Sequence, residues 1–192
     1  MVYNDAKDFV SVDDRNGHDL IPKIVHQVWL GSSIPPAKQY FIEKVKKMYP
    51  TYEVKVWREN NVTRELFPTT YDRIQTLLAF NKHSPFNKLA SVTDIMRHEI
   101  LYREGGFWKD AGMNLLRPIF DKFRKFKLVL PTDRLFNYRW LQGMCFFANM
   151  PKYENMLRIN NYRNLNRMRI YDNDAMNIAG PIDFRQLLIG DE

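Results

Sequence analysis

The stretch that most narrows the possible folds is NKLASVTDIMRHEILYREGGFWKD, residues 87–110. Leu89, Val92, Ile95, Met96, Ile100 and Leu101 recur at helical spacing, which predicts a helix over 87–104 with an apolar stripe. Gly105 is a good C-terminal stop, because a residue without Cβ readily enters the left-handed conformation that ends a helix. The two glycines run directly into Phe107 and Trp108, and a lone acid, Asp110, follows. A strong helix that reverses into a short aromatic strand, with a carboxylate at its end, belongs in an α/β layer.

The flanking segments continue the alternation. IPKIVHQVWLG (21–31) reads as a buried strand ended by Gly31 and the Pro35–Pro36 break. Residues 37–48 read as a helix, with Tyr40, Phe41, Val45 and Met48 on one face and lysines on the other. YEVKVW (52–57) alternates at period two and marks a strand. NVTRELF and TTYDRIQTLLAF read as short helical pieces, FKLVLP (126–131) and MCFFAN (144–149) as strands, and 151–165 as a helix. The expected architecture is α/β, a mostly parallel sheet flanked by helices. Residues 1–20 form a polar, partly mobile lead-in and 21–192 a single domain. Ligands in such sheets bind beyond the carboxyl ends of the strands, here after HQVW and at the WKDAG turn.

Composition bounds the function classes. The 192 residues suit one sizeable core, and 45% hydrophobic content excludes a disordered chain. The formal charge of +7 favours anionic partners without selecting one, and no zinc-finger spacing or basic recognition helix accompanies it. The single cysteine, Cys145, excludes an internal disulfide framework and a thiolate zinc site. The N-terminus has no apolar signal core, and no window approaches the ~18 apolar residues of a membrane span. The expectation is a soluble, cytoplasmic chain.

Three features gather where strand ends meet the expected crevice. In HQVWLG, Gln27 and Trp29 can donate to a base edge and stack on its face; packing and capping would use the same residues. Asp94 and Arg97 lie one helical turn apart, and taken alone they read as a surface ion pair worth a few tenths of a kcal/mol. In GGFWKD, the glycines let the backbone come close to something just before Asp110. Lys109 reads as solvent-facing, or else as a charge that partly neutralises a phosphate.

Taken together the blocks resemble a known family. IPKIVHQVWLG at 21–31, KVWRENN at 55–61, ASVTDIMRHEILYREGGFWKDAG at 90–112 and AGPIDF at 179–184 are similar, in order and spacing, to the glycosyltransferases that share a sugar-binding region with a DXD motif. That group includes initiating α-1,6-mannosyltransferases and, more distantly, the glucosylating domains of large bacterial toxins; capsular polysaccharide synthesis proteins look similar too. The resemblance implies a GT-A fold with a Rossmann-like nucleotide-binding sheet. It implies a base site near His26, Gln27 and Trp29, and donor contacts at Gly105, Gly106 and Trp108. It gives Asp94 and Arg97 the sugar and sugar-phosphate, and Asp110 the ribose, sugar or metal.

The implied activity is transfer of a sugar from a UDP- or GDP-linked donor to a glycan or protein-linked hydroxyl acceptor, retaining and assisted by Mn2+ or Mg2+. A divalent cation would stabilise the charge that develops on the departing diphosphate. The triplet here is Asp110-Ala111-Gly112, so the second acid of the DXD is missing. A single carboxylate is compatible with Mg2+, which often uses one or two together with phosphates and waters. Asn114, Asp172 and Asp174 are candidates for the remaining ligands. Two rival readings are a catalytically reduced nucleotide-sugar or glycan-binding protein and a basic nucleic-acid-binding domain.

Overall fold

The computed structural model describes residues 9–13, 18–83, 89–131 and 146–153. In chain order these form β1 (Phe9–Asp13), β2 (Ile24–Val28), α1 (Pro36–Met48), β3 (Glu53–Trp57), α2 (Tyr71–His83), α3 (Leu89–Glu104), β4 (Gly106–Lys109), β5 (Phe126–Pro131) and β6 (Phe146–Asn149). They build one six-stranded sheet of order β1-β5-β6-β4-β2-β3. β2 pairs in parallel with β3 and β4, while β6 runs antiparallel to both β4 and β5, and β1 antiparallel to β5. Since β5 thus points the same way as β4, four of the six strands (β2, β3, β4, β5) share one direction. The α/β sheet expected from the sequence is present, with its parallel half at β3-β2-β4.

Strand alternation sends successive side chains to opposite sides, and each side has its own core. Val28, Trp57, Trp108 and Leu128 pack with Ile74 and Leu77 of α2 and Val92, Met96 and Ile100 of α3. Val25, Phe107, Val129 and Ala148 pack on the other side with Val45 of α1, Tyr49, Tyr52 and Phe120. Phe120 stacks between Tyr49 and Phe107, with ring centroids 4.4 and 4.7 Å away. The parallel strands are covered on both faces, as a parallel sheet requires.

Four sequence expectations are corrected. Phe9–Asp13, inside the presumed lead-in, is a strand paired to β5 from Phe9↔Pro131 to Asp13↔Phe126; FVSVD alternates at period two and its partner lies more than a hundred residues away. NVTRELF closes a single helical turn, Phe67 N–H to the Thr63 carbonyl, before Pro68 stops it. On α1 the buried residues are Ile42 and Val45, whereas Tyr40 is exposed. α3 is buried nearly all round, including Arg97, His98 and Glu99. The reason for the last is packing: α2 and the sheet both cover α3, and Glu99 accepts hydrogen bonds from Thr69 N–H (2.8 Å) and Thr70 N–H (3.0 Å) just before α2. Among the described residues, no helix is long and apolar enough to cross a membrane. The expected 151–165 helix, most of it, and AGPIDF lie outside the described residues.

Candidate active site

The Gly105–Gly106 pair fixes how α3 meets the sheet. Both residues have left-handed φ, +68° and +95°. A Cβ on Gly105 would lie 2.7 Å from Pro151, and one on Gly106 would lie 2.7 Å from the Ile24 carbonyl oxygen. What the glycines let the backbone approach is therefore β2 and the segment after β6. From this reversal, β4 climbs about 3.3 Å per residue while α3 descends about 1.5 Å per residue. Four strand residues thus run level with about nine helix residues, which puts Asp110 near the height of Asp94 and Arg97. The 16-residue gap between the two acids is what this geometry needs.

Asp94 and Arg97 form an ion pair, Nη1 to Oδ1 2.7 Å, with side chains 19% and 4% exposed. This is a nearly buried pair rather than a surface one, because α3 has almost no solvent side. Asp110 accepts a hydrogen bond from Trp108 Nε1 at 2.8 Å on one carboxylate oxygen. Its main-chain carbonyl accepts from Met113 N–H (2.9 Å), closing the DAGM turn, and from the Lys109 ammonium (3.0 Å). Trp108 is fully buried and acts as the strut that sets the Asp110 carboxylate.

His26 is fully buried and both ring nitrogens are used within the protein. Trp57 Nε1–H lies 3.2 Å from Nδ1, so Nδ1 accepts, and Nε2 then carries the proton that it donates to the Gly105 carbonyl at 2.9 Å. Burial drives its pKa down to about 4. The ring is a neutral clamp joining β2, β3 and the Gly-Gly turn. Trp29 sits half-buried beyond β2, its indole N–H donating to the Ser32 carbonyl at 3.1 Å. Gln27 is fully buried, and among the described residues neither of its amide atoms has a hydrogen-bond partner.

KVWRENN has a definable task. Besides Trp57 on His26, the Glu59 carboxylate accepts from Gly31 N–H, and Arg58 donates to the carbonyls of Gly31 (3.3 Å) and Ser32 (3.1 Å). β3 thereby pins the loop that leaves β2 toward the crevice. Asn114, a candidate metal ligand, accepts from Lys44 Nζ at 2.9 Å. Asp172 and Asp174 lie outside the described residues. Lys109, expected to face solvent, is fully buried on the α1 side of β4. Burial pushes its ammonium down to about 8, against the pull of Asp110.

One residue escaped the sequence reading. Lys38 in the first turn of α1 brings its ammonium to within 3.3 Å of where a side chain on Gly112 would begin. Its spacing was the available signal: 38, 42 and 45 continue the buried stripe of Ile42 and Val45 back to the helix start.

The fold and the sequence have counterparts among known proteins. The solved structure of PaToxG Glycosyltransferase superposes with a TM-score of 0.58 at 16% identity, covering 88% of this chain and 69% of that one, so the two share the GT-A-like fold. Two proteins of Schizosaccharomyces pombe are similar in sequence. Inositol phosphoceramide mannosyltransferase 3 is 28% identical over 123 residues, 60% of this chain and 33% of its own length. Inositol phosphoceramide mannosyltransferase 2 is 28% identical over 100 residues, 52% of this chain and 27% of its own length. The chain thus spans a third or less of these curated relatives. With the fold, the helix–Gly-Gly–strand block and a family model matching residues 6–160 in agreement, the chain belongs to the capsular polysaccharide synthesis protein family.

Proposed function

We propose that this chain binds a nucleotide sugar and transfers its sugar to a hydroxyl acceptor, a glycan or protein-linked group, with retention of configuration. The observation that carries the reading is the nearly buried Asp94–Arg97 pair on α3 in a GT-A-like fold, at a height that helix and strand rises put near Asp110. Arg97 offers a guanidinium fork to the sugar-phosphate, while Asp94 and Asp110 accept from sugar or ribose hydroxyls. Trp29 and the pinned loop after β2 flank the place for the base. The donor is UDP- or GDP-linked; the mannosyltransferase names of the yeast relatives make GDP-mannose the first to try.

In the transfer, the bond from the anomeric carbon to the diphosphate oxygen breaks and a bond to the acceptor oxygen forms. The departing phosphate takes the acceptor proton, so no protein base is needed. His26 is unsuited to that task in any case, since both nitrogens are engaged and its proton affinity is low.

The expected divalent ion meets an ill-matched donor set. Among the described residues no cluster of three His, Cys, Asp or Glu could hold it, Asp110 offers a single carboxylate, and the Lys38 ammonium stands where the second acid would project. One carboxylate with phosphates and waters suffices for Mg2+, but an ammonium beside position 112 repels a dication there, so these residues do not fit a tightly held ion. No step is assigned to one.

The test is a thermal-shift screen of UDP- and GDP-sugars followed by assays of donor hydrolysis and transfer. A donor at 100 times its Kd adds about 2.7 kcal/mol of stability. The Asp110→Asn variant is expected to stay folded and lose turnover. Donor binding with no turnover under any condition would leave a nucleotide-sugar-binding protein, and no binding at all would end the proposal.

A further inference from the structure

Gln27 and Lys109 each lie two residues beyond Val25 and Phe107, which pair across β2 and β4 and face α1. They therefore share the α1 side of the sheet at its carboxyl edge. Lys38 joins them from α1: it is half-buried, whereas Pro36, Ala37, Gln39 and Tyr40 around it are exposed. Lys38 and Lys109 are close enough that the charge of one opposes protonation of the other. Among the described residues neither ammonium has a carboxylate at ion-pair distance; Lys109 is held by the Asp110 carbonyl and Lys38 lies over the Phe41 ring at 5.6 Å. The first turn of α1 contains no acid either.

We propose that Lys38 and Lys109, backed by the unpartnered amide of Gln27, form a fixed cationic seat for the diphosphate of the nucleotide donor, in place of the ion that a second acid at position 112 would hold. This rests on the donor reading above. Burying an ammonium without an ionic partner is costly, and the cost is recovered when an anion arrives. Lys38 makes the direct contact, Lys109 supplies charge from beneath in a medium that screens it little, and Gln27 can donate its amide N–H. Gly112 then has a reason: its φ is not left-handed, so no backbone strain demands glycine, and the space that a side chain would fill is taken by the Lys38 ammonium. The lysines neutralise the leaving group throughout, and the transfer needs no divalent ion.

The experiment is calorimetric titration of the full chain with inorganic pyrophosphate, UDP and GDP, in EDTA and in Mn2+. Pyrophosphate and one nucleoside diphosphate are expected to bind in EDTA. Lys38→Gln should weaken both by about tenfold or more, the worth of a charge-assisted hydrogen bond, with an unchanged melting temperature. Gly112→Asp places a carboxylate against Lys38, so it should weaken binding in EDTA and make it Mn2+-dependent. Lys109→Met is the harsher variant; if it does not fold, the other two decide. A nucleoside diphosphate that binds only with Mn2+, or indifferently to Lys38→Gln and Gly112→Asp, overturns the seat and leaves the donor reading intact. Pyrophosphate bound through Lys38 in EDTA, with neither UDP nor GDP bound more tightly, upholds the anion seat and overturns the donor reading. No binding of any of them overturns both.

Discussion

β2 and β4 present alternate residues to two faces, and the faces treat polar groups in opposite ways. Toward α3, His26 has a partner on each nitrogen, Trp108 supports Asp110, and Arg97 is paired with Asp94. Toward α1, Gln27 has no hydrogen-bond partner among the described residues, and the charges of Lys38 and Lys109 oppose each other. At His26 and Trp108 the α3 face closes its hydrogen bonds internally and so holds shape. At Lys38 and Lys109 the other face keeps ammonium charge with no carboxylate at ion-pair distance among the described residues, a cost in the free protein that an anion would relieve.

The comparison breaks if the α3 face proves tolerant. Arg97→Met takes the guanidinium away from Asp94 at a largely buried position, and the expected loss is about 4 kcal/mol by urea denaturation. A loss under ~1 kcal/mol would mean the pair is solvated as a surface pair would be.

The next largest effect belongs to His26. Its folded pKa of about 4 lies below the ordinary 6.5, so the native state refuses a proton that the unfolded chain accepts. Stability is therefore independent of this group above pH 6.5, falls as pH drops from 6.5 to about 4, and levels off below; the total loss is about 3 kcal/mol. In a His26→Asn variant the pH slope across that window should flatten, and a slope unchanged by the variant would assign it to other groups.

Two glycines sharpen the contrast at smaller scale. Gly106→Ala puts a Cβ 2.7 Å from the Ile24 carbonyl at a left-handed φ, and should cost at least about 2 kcal/mol in stability. Gly112→Ala meets only the flexible end of Lys38 and should change stability by no more than ~0.5 kcal/mol. Equal costs at the two positions would show that Gly112 is conformational after all.

The helix, the Gly-Gly stop and the strand that follows were legible because their signals are local: a stripe at period 3.6, a residue without Cβ, an aromatic pair. What His26 does was not, since its partners come 31 and 79 residues later in the chain. β1 was hidden for the same reason, its pairing partner being β5. Spacing placed Asp94 and Arg97 on one turn, but their exposure depends on α2 and the sheet covering α3. Lysines at 38 and 109 look like solvent-facing residues until the layers close on them. Gln27 reads as one polar letter in an apolar strand, and only the folded neighbourhood reveals that its amide has no partner among the described residues.

The His26 clamp also sets an order of assembly. Trp57, His26 and Gly105 meet only after residue 105 has joined the chain, so the frame of the crevice is built from contacts distant in sequence, which form slowly. During synthesis β1, β2, α1 and β3 emerge well before the Gly-Gly turn, and until that turn follows, the His26 ring lacks the carbonyl that takes its proton. A nascent chain halted short of that turn would expose the apolar side of β2 and offer it to chaperones or to other chains.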